Sequence, residues 1–223
     1  MDSEQAFIAV PPDFLARKRL VVCGLLIDRS GSMFKFADAP RTAINEHLAS
    51  IKTSERAADT MVFVATFADD VTFDVPPQPL SGISGLGHYA THGNTLLYGS
   101  VLMILEGMLE LKAQAETLGI EVTLKLDVLT DGVDEPPDSQ KHIDFKTPLQ
   151  RLTSHALEAG AELNLFGIGF ACQAIAVDIG FPPQNAIQVP ATEAGINQTM
   201  RGVTARTHIT MMCGKMPPPS SSR

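Results

Sequence analysis

None of the apolar runs in this chain approaches the roughly 18 to 20 residues that a helix needs to cross a bilayer, so no membrane-spanning segment is expected. The opening MDSEQAFIAVPPDF carries no basic segment followed by an apolar one, as a secretory leader would. Cysteine is scarce: Cys23, Cys172 and Cys213 are odd in number and far apart, which fits reduced thiols rather than a disulfide framework. Together these features predict a soluble, cytoplasmic chain. Basic residues are outnumbered, 17 Lys and Arg against 25 Asp and Glu, for a formal charge of -8. Gripping phosphate takes clustered Lys and Arg, so neither nucleic acid nor an anionic membrane is the expected partner. A metal or a cationic partner suits the charge better.

What is present suits one α/β domain: 223 residues, 44% of them hydrophobic, can bury a single large core. Residues 1–19, with Pro11, Pro12 and the basic RKR, read as an irregular lead-in wrapping that domain. LVVCGLLI (20–27) is a continuous apolar run, the pattern of a strand covered on both faces. Helical spacing then predicts a helix over 40–53. TMVFVATF (60–67) and VTFDV (71–75) predict a hairpin, and PPQPLSGISGLGHYATHGNT (76–95) is a Pro- and Gly-rich loop, too long to be an idle connection. A long helix is expected from about Leu96 to Leu118, closed by Gly119, then a strand in EVTLKLDVLTDG (121–132) and an acidic loop. A helix over 147–159, strands in AELNLFGIGF and AIQVP (186–190), and a helix over 191–206 complete the series. The domain is thus read as 20–206. Residues 207–223 form a C-terminal extension, disordered from about 214 because KMPPPSSSR has no apolar periodicity. Alternating strands and helices with one hairpin imply a doubly wound, mostly parallel sheet with one antiparallel edge strand and helices on both faces.

Ligand sites of such sheets collect beyond the carboxyl ends of the strands. Polar clusters stand there: Asp28, Ser30 and Ser32 after the first strand, Thr95 at the end of the long loop, and Asp131 after the fourth strand. Magnesium takes six oxygens in a near-octahedral array and keeps several waters, and hydroxyls with carboxylates supply such a set. A turn at Gly31 can direct Ser30 and Ser32 inward, with Asp28 behind them as acceptor for coordinated waters.

DRSGSM, the Thr of GNT and LTDG, in this order, resemble the metal-ion-dependent adhesion site of von Willebrand factor type A (vWA) domains, a likeness covering about residues 20–206. The resemblance implies a six-stranded, Rossmann-like sheet. It implies that Ser30 and Ser32 bind the metal directly, Thr95 directly or through water, and Asp28 and Asp131 mainly through water. Mg2+ is the expected ion, with Mn2+ or Ca2+ as alternatives. A partner protein is expected to supply a Glu or Asp carboxylate, in an intracellular, bacterial-type assembly or stress-response system. Metal-bound structural subunit and metal-dependent hydrolase are the competing functions, and no oligomeric state follows. GNT departs from the more usual Gly-Gly-Thr, so Asn94 joins the expected rim of the site, with Arg29, Phe34 and Asp134. Arg29 is a candidate to meet an arriving carboxylate, and Phe34 to be either an exposed anchor or a core residue. Asp127 interrupts a strand usually apolar and is open to three roles: facing solvent, pairing near Lys125, or supporting the metal from behind.

Other chemistry is poorly provided for. An aspartyl-phosphate phosphatase needs a second acid two residues after its nucleophile, where this chain has Ser30, and no Gly-x-Ser-x-Gly elbow is present. His88 and His92 lack the Glu and the helix of a His-Glu-x-x-His zinc site. GIGFAC puts Cys172 where a dinucleotide fingerprint has its third Gly. No enzymatic activity is expected.

Overall fold

The unbroken apolar run of β1 (Arg19–Asp28) has its reason in the sheet, where it pairs in parallel with β2 (Thr60–Phe67) on one side and β4 (Glu121–Thr130) on the other. The computed structural model describes residues 10–213. The six-stranded sheet has the order β3-β2-β1-β4-β5-β6, with β3 (Val71–Pro79) antiparallel to β2, and β5 (Glu162–Ile168) and β6 (Ala186–Val189) parallel. The expected doubly wound sheet with an antiparallel edge is therefore present. β3 runs on through Pro76, Pro77 and Pro79, which the sequence placed in the loop. Proline cannot donate to a ladder, but an edge strand with register shifts leaves room for it.

Side chains alternate across β1. Leu20, Val22 and Leu26 face a core built with α2 (Leu97–Thr117), α3 (Lys146–Glu158) and α4 (Gln173–Asp178). Val21, Cys23, Leu25 and Ile27 face α1 (Ala39–Ile51) and α5 (Glu193–Cys213). Burying each such side chain stabilises the fold by about 1.5 to 3 kcal/mol. Gly24 breaks the run for a steric reason: a Cβ there would lie 2.2 Å from Cζ of the buried Phe63 ring on β2. The six-residue α4 has no sequence signal long enough to announce it.

The α5 side also holds a polar seam. Lys125 and Asp127 are buried and paired with each other, and Asn164 Nδ2 donates to Asp127 Oδ1 at 2.8 Å. From α5, Arg206 donates to Asn164 Oδ1 at 3.1 Å and Thr210 to Glu162 Oε2 at 2.6 Å. Of the three roles open to Asp127, pairing with Lys125 is the one the fold adopts. The seam also explains why α5 continues to Cys213, past the expected end at 206: Thr207 and Thr210 are buried, so no apolar periodicity marks that stretch. Residues 1–9 of the lead-in and the tail from 214 lie outside the described residues. Val10 and Phe14 of the lead-in are core residues.

Candidate metal centre

The carboxyl ends of β1 and β4 stand side by side at the point where the winding reverses, because β1 leads to β2 on one flank and β4 to β5 on the other. Loops leaving adjacent strands in opposite directions open a crevice between them. Asp28 ends β1 there, fully buried. Its Oδ1 accepts the Ser30 backbone N–H at 2.7 Å and its Oδ2 the Thr130 hydroxyl at 2.6 Å. Burial raises the Asp28 carboxyl above its ordinary pKa, although the Thr130 and Ser30 donors pull the other way.

Ser32 lies in a 3-10 turn over Gly31–Phe36, and Ser30 just before it. Their hydroxyl oxygens are 3.1 Å apart, and Ser32 donates to Asp131 Oδ1 at 2.6 Å. The Asp131 side chain is fully buried. Its Oδ2 accepts no well-directed hydrogen bond from the described residues, although Lys35 Nζ stands 2.7 Å away as an ion pair.

The long loop is stitched onto this turn. Gly31 N–H donates to Gly93 O at 3.1 Å, His92 N–H to Arg29 O at 2.8 Å, and the Tyr89 hydroxyl to Asp28 O at 2.5 Å. Burial, and then the Asp28 and Asp131 charges, push the Tyr89 phenol far above its usual pKa, so it remains a donor. Farther back, Asn45 on α1 exchanges two hydrogen bonds with the backbone of Leu86, at 3.1 and 2.7 Å. Gly93 has φ +70°, and a Cβ there would meet Asp69 Oδ2 at 2.4 Å, so glycine is required. Thr95 is buried and forms an isolated bridge with Glu135, N–H to O at 3.0 Å one way and 2.7 Å the other. That bridge ties it to the loop after β4 and sets its hydroxyl against Gly132, 3.7 Å from where a Cβ would be.

Asp28, Ser30, Ser32 and Asp131 thus form one hydrogen-bonded cluster, with Thr95 against the neighbouring Gly132. The expected rim is more varied. Phe34 is 79% exposed, on the anchor side of its two readings, while Phe36 is buried. Arg29 is turned away from the cluster, donating to Asp70 Oδ1 at 2.7 Å and Thr72 Oγ1 at 3.0 Å. Asn94 donates backbone and side-chain N–H groups to Asp69 Oδ1, each at 2.9 Å. Asp134 accepts the Tyr98 N–H at 2.8 Å, satisfying one of the free donors at the start of α2. The sequence reading missed Thr130, Tyr89 and Lys35. Lys35 had a signal: a 3-10 turn has three residues per turn, so Ser32 and Lys35 share one face.

The donor chemistry fits a hard divalent ion. Adjacent oxygens of an octahedron with spokes of about 2.1 Å stand about 3.0 Å apart, and the two serine hydroxyls meet that spacing. Asp131 Oδ2 is a buried anionic oxygen lacking a directed donor. No cluster of three or more His, Cys, Asp or Glu suited to a metal occurs among the described residues.

No family model matches the chain and no curated protein matches its sequence. Solved structures do match. The chain is similar to the pilus adhesin SpaC from Lactobacillus rhamnosus GG, with TM-score 0.65 and 15% identity over 86% of this chain and 31% of that one. It is similar to the vWF domain of the type V pili tip protein Mfa5 from Porphyromonas gingivalis, with TM-score 0.57 and 8% identity over 91% and 99% of the two chains. A third is proximal thread matrix protein 1 from the mussel byssus with a zinc-occupied MIDAS motif, with TM-score 0.55 and 14% identity over 86% and 46%. The chain therefore spans about a third of SpaC and under half of the byssus protein. At these identities the likeness is one of fold, and the fold is vWA-like.

These neighbours are an adhesin, a pilus tip protein and a thread matrix protein, not enzymes. They overturn the expected cytoplasmic location and lend the stress-response setting no support. The cysteine argument fails for a physical reason. Cys23 and Cys172 are buried, and burial raises both thiols, that of Cys23 up to about 12, so their lack of a disulfide follows from burial and does not report the compartment, while Cys213 is exposed.

Proposed function

We propose that this vWA-like module binds a partner protein through a divalent cation held by Ser30, Ser32, Thr95, Asp28 and Asp131. Mg2+ is the first choice of ion, with Mn2+ or Ca2+ as alternatives. The observation that carries this reading is the run of contacts from Ser30 Oγ to Ser32 Oγ at 3.1 Å and on to Asp131 Oδ1 at 2.6 Å. When bound, the ion supplies a positively charged coordination position for an anionic oxygen. The hydroxyls of Ser30, Ser32 and Thr95 are neutral and Asp28 and Asp131 act mainly through water, so much of that charge remains, which favours a Glu or Asp carboxylate of the partner. Thr130 and the Ser30 N–H hold Asp28 in place, and Tyr89 fixes the backbone beside it. Phe34, 79% exposed, and Val133, 62% exposed, follow the two metal-binding loops and offer apolar contact around the central charge. The pilus neighbours favour a surface setting for this binding. No catalytic step belongs to the reading, since both carboxylates are engaged in holding the centre.

The test is a Mn2+ titration followed by electron paramagnetic resonance, then affinity capture in Mg2+ and in chelator. Ser32→Ala and Asp131→Ala are expected to weaken Mn2+ binding by about 10- to 100-fold. Capture is expected only with Mg2+ and the unaltered chain. A partner retained equally in chelator, or by a folded Asp131→Ala chain, would remove the metal from recognition.

A further inference from the structure

Lys35 has no place in the proposed ligand set, yet its Nζ stands 2.7 Å from Asp131 Oδ2. The geometry points to Lys35 as a tethered cation that competes with the divalent ion for Asp131 and thereby sets the metal affinity of the centre. This inference rests on the metal-binding reading above.

The turn itself creates the competition. In the 3-10 segment Gly31–Phe36, residues three apart eclipse each other, so Ser32 and Lys35 project from the same side. Ser32 takes Asp131 Oδ1 at 2.6 Å and Lys35 takes Oδ2, so one turn occupies both oxygens of one carboxylate. The Asp131 side chain is fully buried while that of Lys35 is 54% exposed. More than half of the Lys35 side chain is therefore in solvent, and it can leave the carboxylate at little cost in packing. The neighbouring Phe36 ring, its centroid 4.9 Å from Nζ, offers a second hold near the site. Oδ2 is also the oxygen that lacks a directed hydrogen bond, so electrostatics supplies nearly all of the attraction. A divalent ion beside Asp131 meets the same oxygen and is repelled by the ammonium. Its binding must therefore include release of Lys35 from the carboxylate. The released ammonium remains at the rim, where it favours the acidic partner that the centre selects.

Lys35→Met keeps the stem and removes the charge. Isothermal titration with MnCl2, without any partner, is expected to show Mn2+ binding about fivefold tighter than in the unaltered chain, the scale of one half-exposed ion pair. Lys35→Arg should stay within about twofold, because the charge is kept. In an Asp131→Asn background, Lys35→Met should tighten Mn2+ binding by clearly less than in the unaltered chain, since the competition for the carboxylate is gone and only the direct repulsion of the ion by the ammonium remains. In the unaltered chain, the Lys35 side-chain NMR signals should shift as Mg2+, which is diamagnetic, saturates the centre. Equal or weaker Mn2+ binding by Lys35→Met, with metal still bound, overturns this inference and leaves the metal centre standing. Absence of Mn2+ binding by both folded chains overturns the inference and the metal reading together.

Discussion

Acid should loosen this protein through His47. The residue lies on α1, 2% exposed, with Nδ1 2.9 Å from Thr204 Oγ1 on α5. Burial first, then the positive charges of Lys125 and His208, lower its pKa from 6.5 to about 3. The folded protein therefore holds the imidazole neutral over a range where the unfolded chain takes up a proton. The associated stability is fully present above pH 6.5 and drains away as pH falls towards 3. Linkage puts the loss, relative to pH 7, at about 2 kcal/mol by pH 5 and about 3 kcal/mol by pH 4. Urea unfolding at pH 7, 6, 5 and 4, run in chelator to keep metals out, measures it. His47→Asn keeps a polar atom near the Nδ1 position and cannot titrate, so its stability should fall much less between pH 7 and 5. Parallel losses in the two proteins over that interval would refute the reasoning and place the acid sensitivity elsewhere.

Two backbone positions give further tests. Gly24→Ala forces a Cβ to within 2.2 Å of Phe63 Cζ in a fully buried core, and should cost about 3 kcal/mol in guanidinium unfolding. Adding Phe63→Leu should restore part of it, and an unchanged midpoint for the single variant would contradict the packing described. Ala37 closes the serine-bearing turn at φ 45° and ψ -125°, a conformation that L side chains rarely adopt. Ala37→Gly should raise stability by about 1 kcal/mol after the entropy cost of glycine, and a loss on thermal unfolding would count against stored strain.

Patterns local to a segment were legible in the sequence. The apolar run 20–27 announced a strand covered on both faces, and the helical spacings announced α1, α2 and α3 to within a few residues. Wherever a tertiary partner replaced local periodicity, the reading stopped short. β3 keeps its prolines because it has no neighbour on its outer side among the described residues, and α5 runs seven residues past the expected end at 206 because buried threonines meet a polar seam. The same holds at the centre. Asp28, Ser30, Ser32, Thr95 and Asp131 could be picked out by type and by position after strands. The direction of Arg29, and the use of Asp134 to satisfy the start of α2, could not.

The sequence by itself determined which oxygen-bearing side chains follow which strands, because alternation and turn chemistry are written within a few residues. Only the tertiary structure decided their company. The sheet order sets β1 beside β4 across about a hundred residues of chain, which brings Ser32 and Lys35 onto one carboxylate and Tyr89 onto the backbone of Asp28. Contacts at such separation depend on how strands are ordered in space, and no local spacing encodes that.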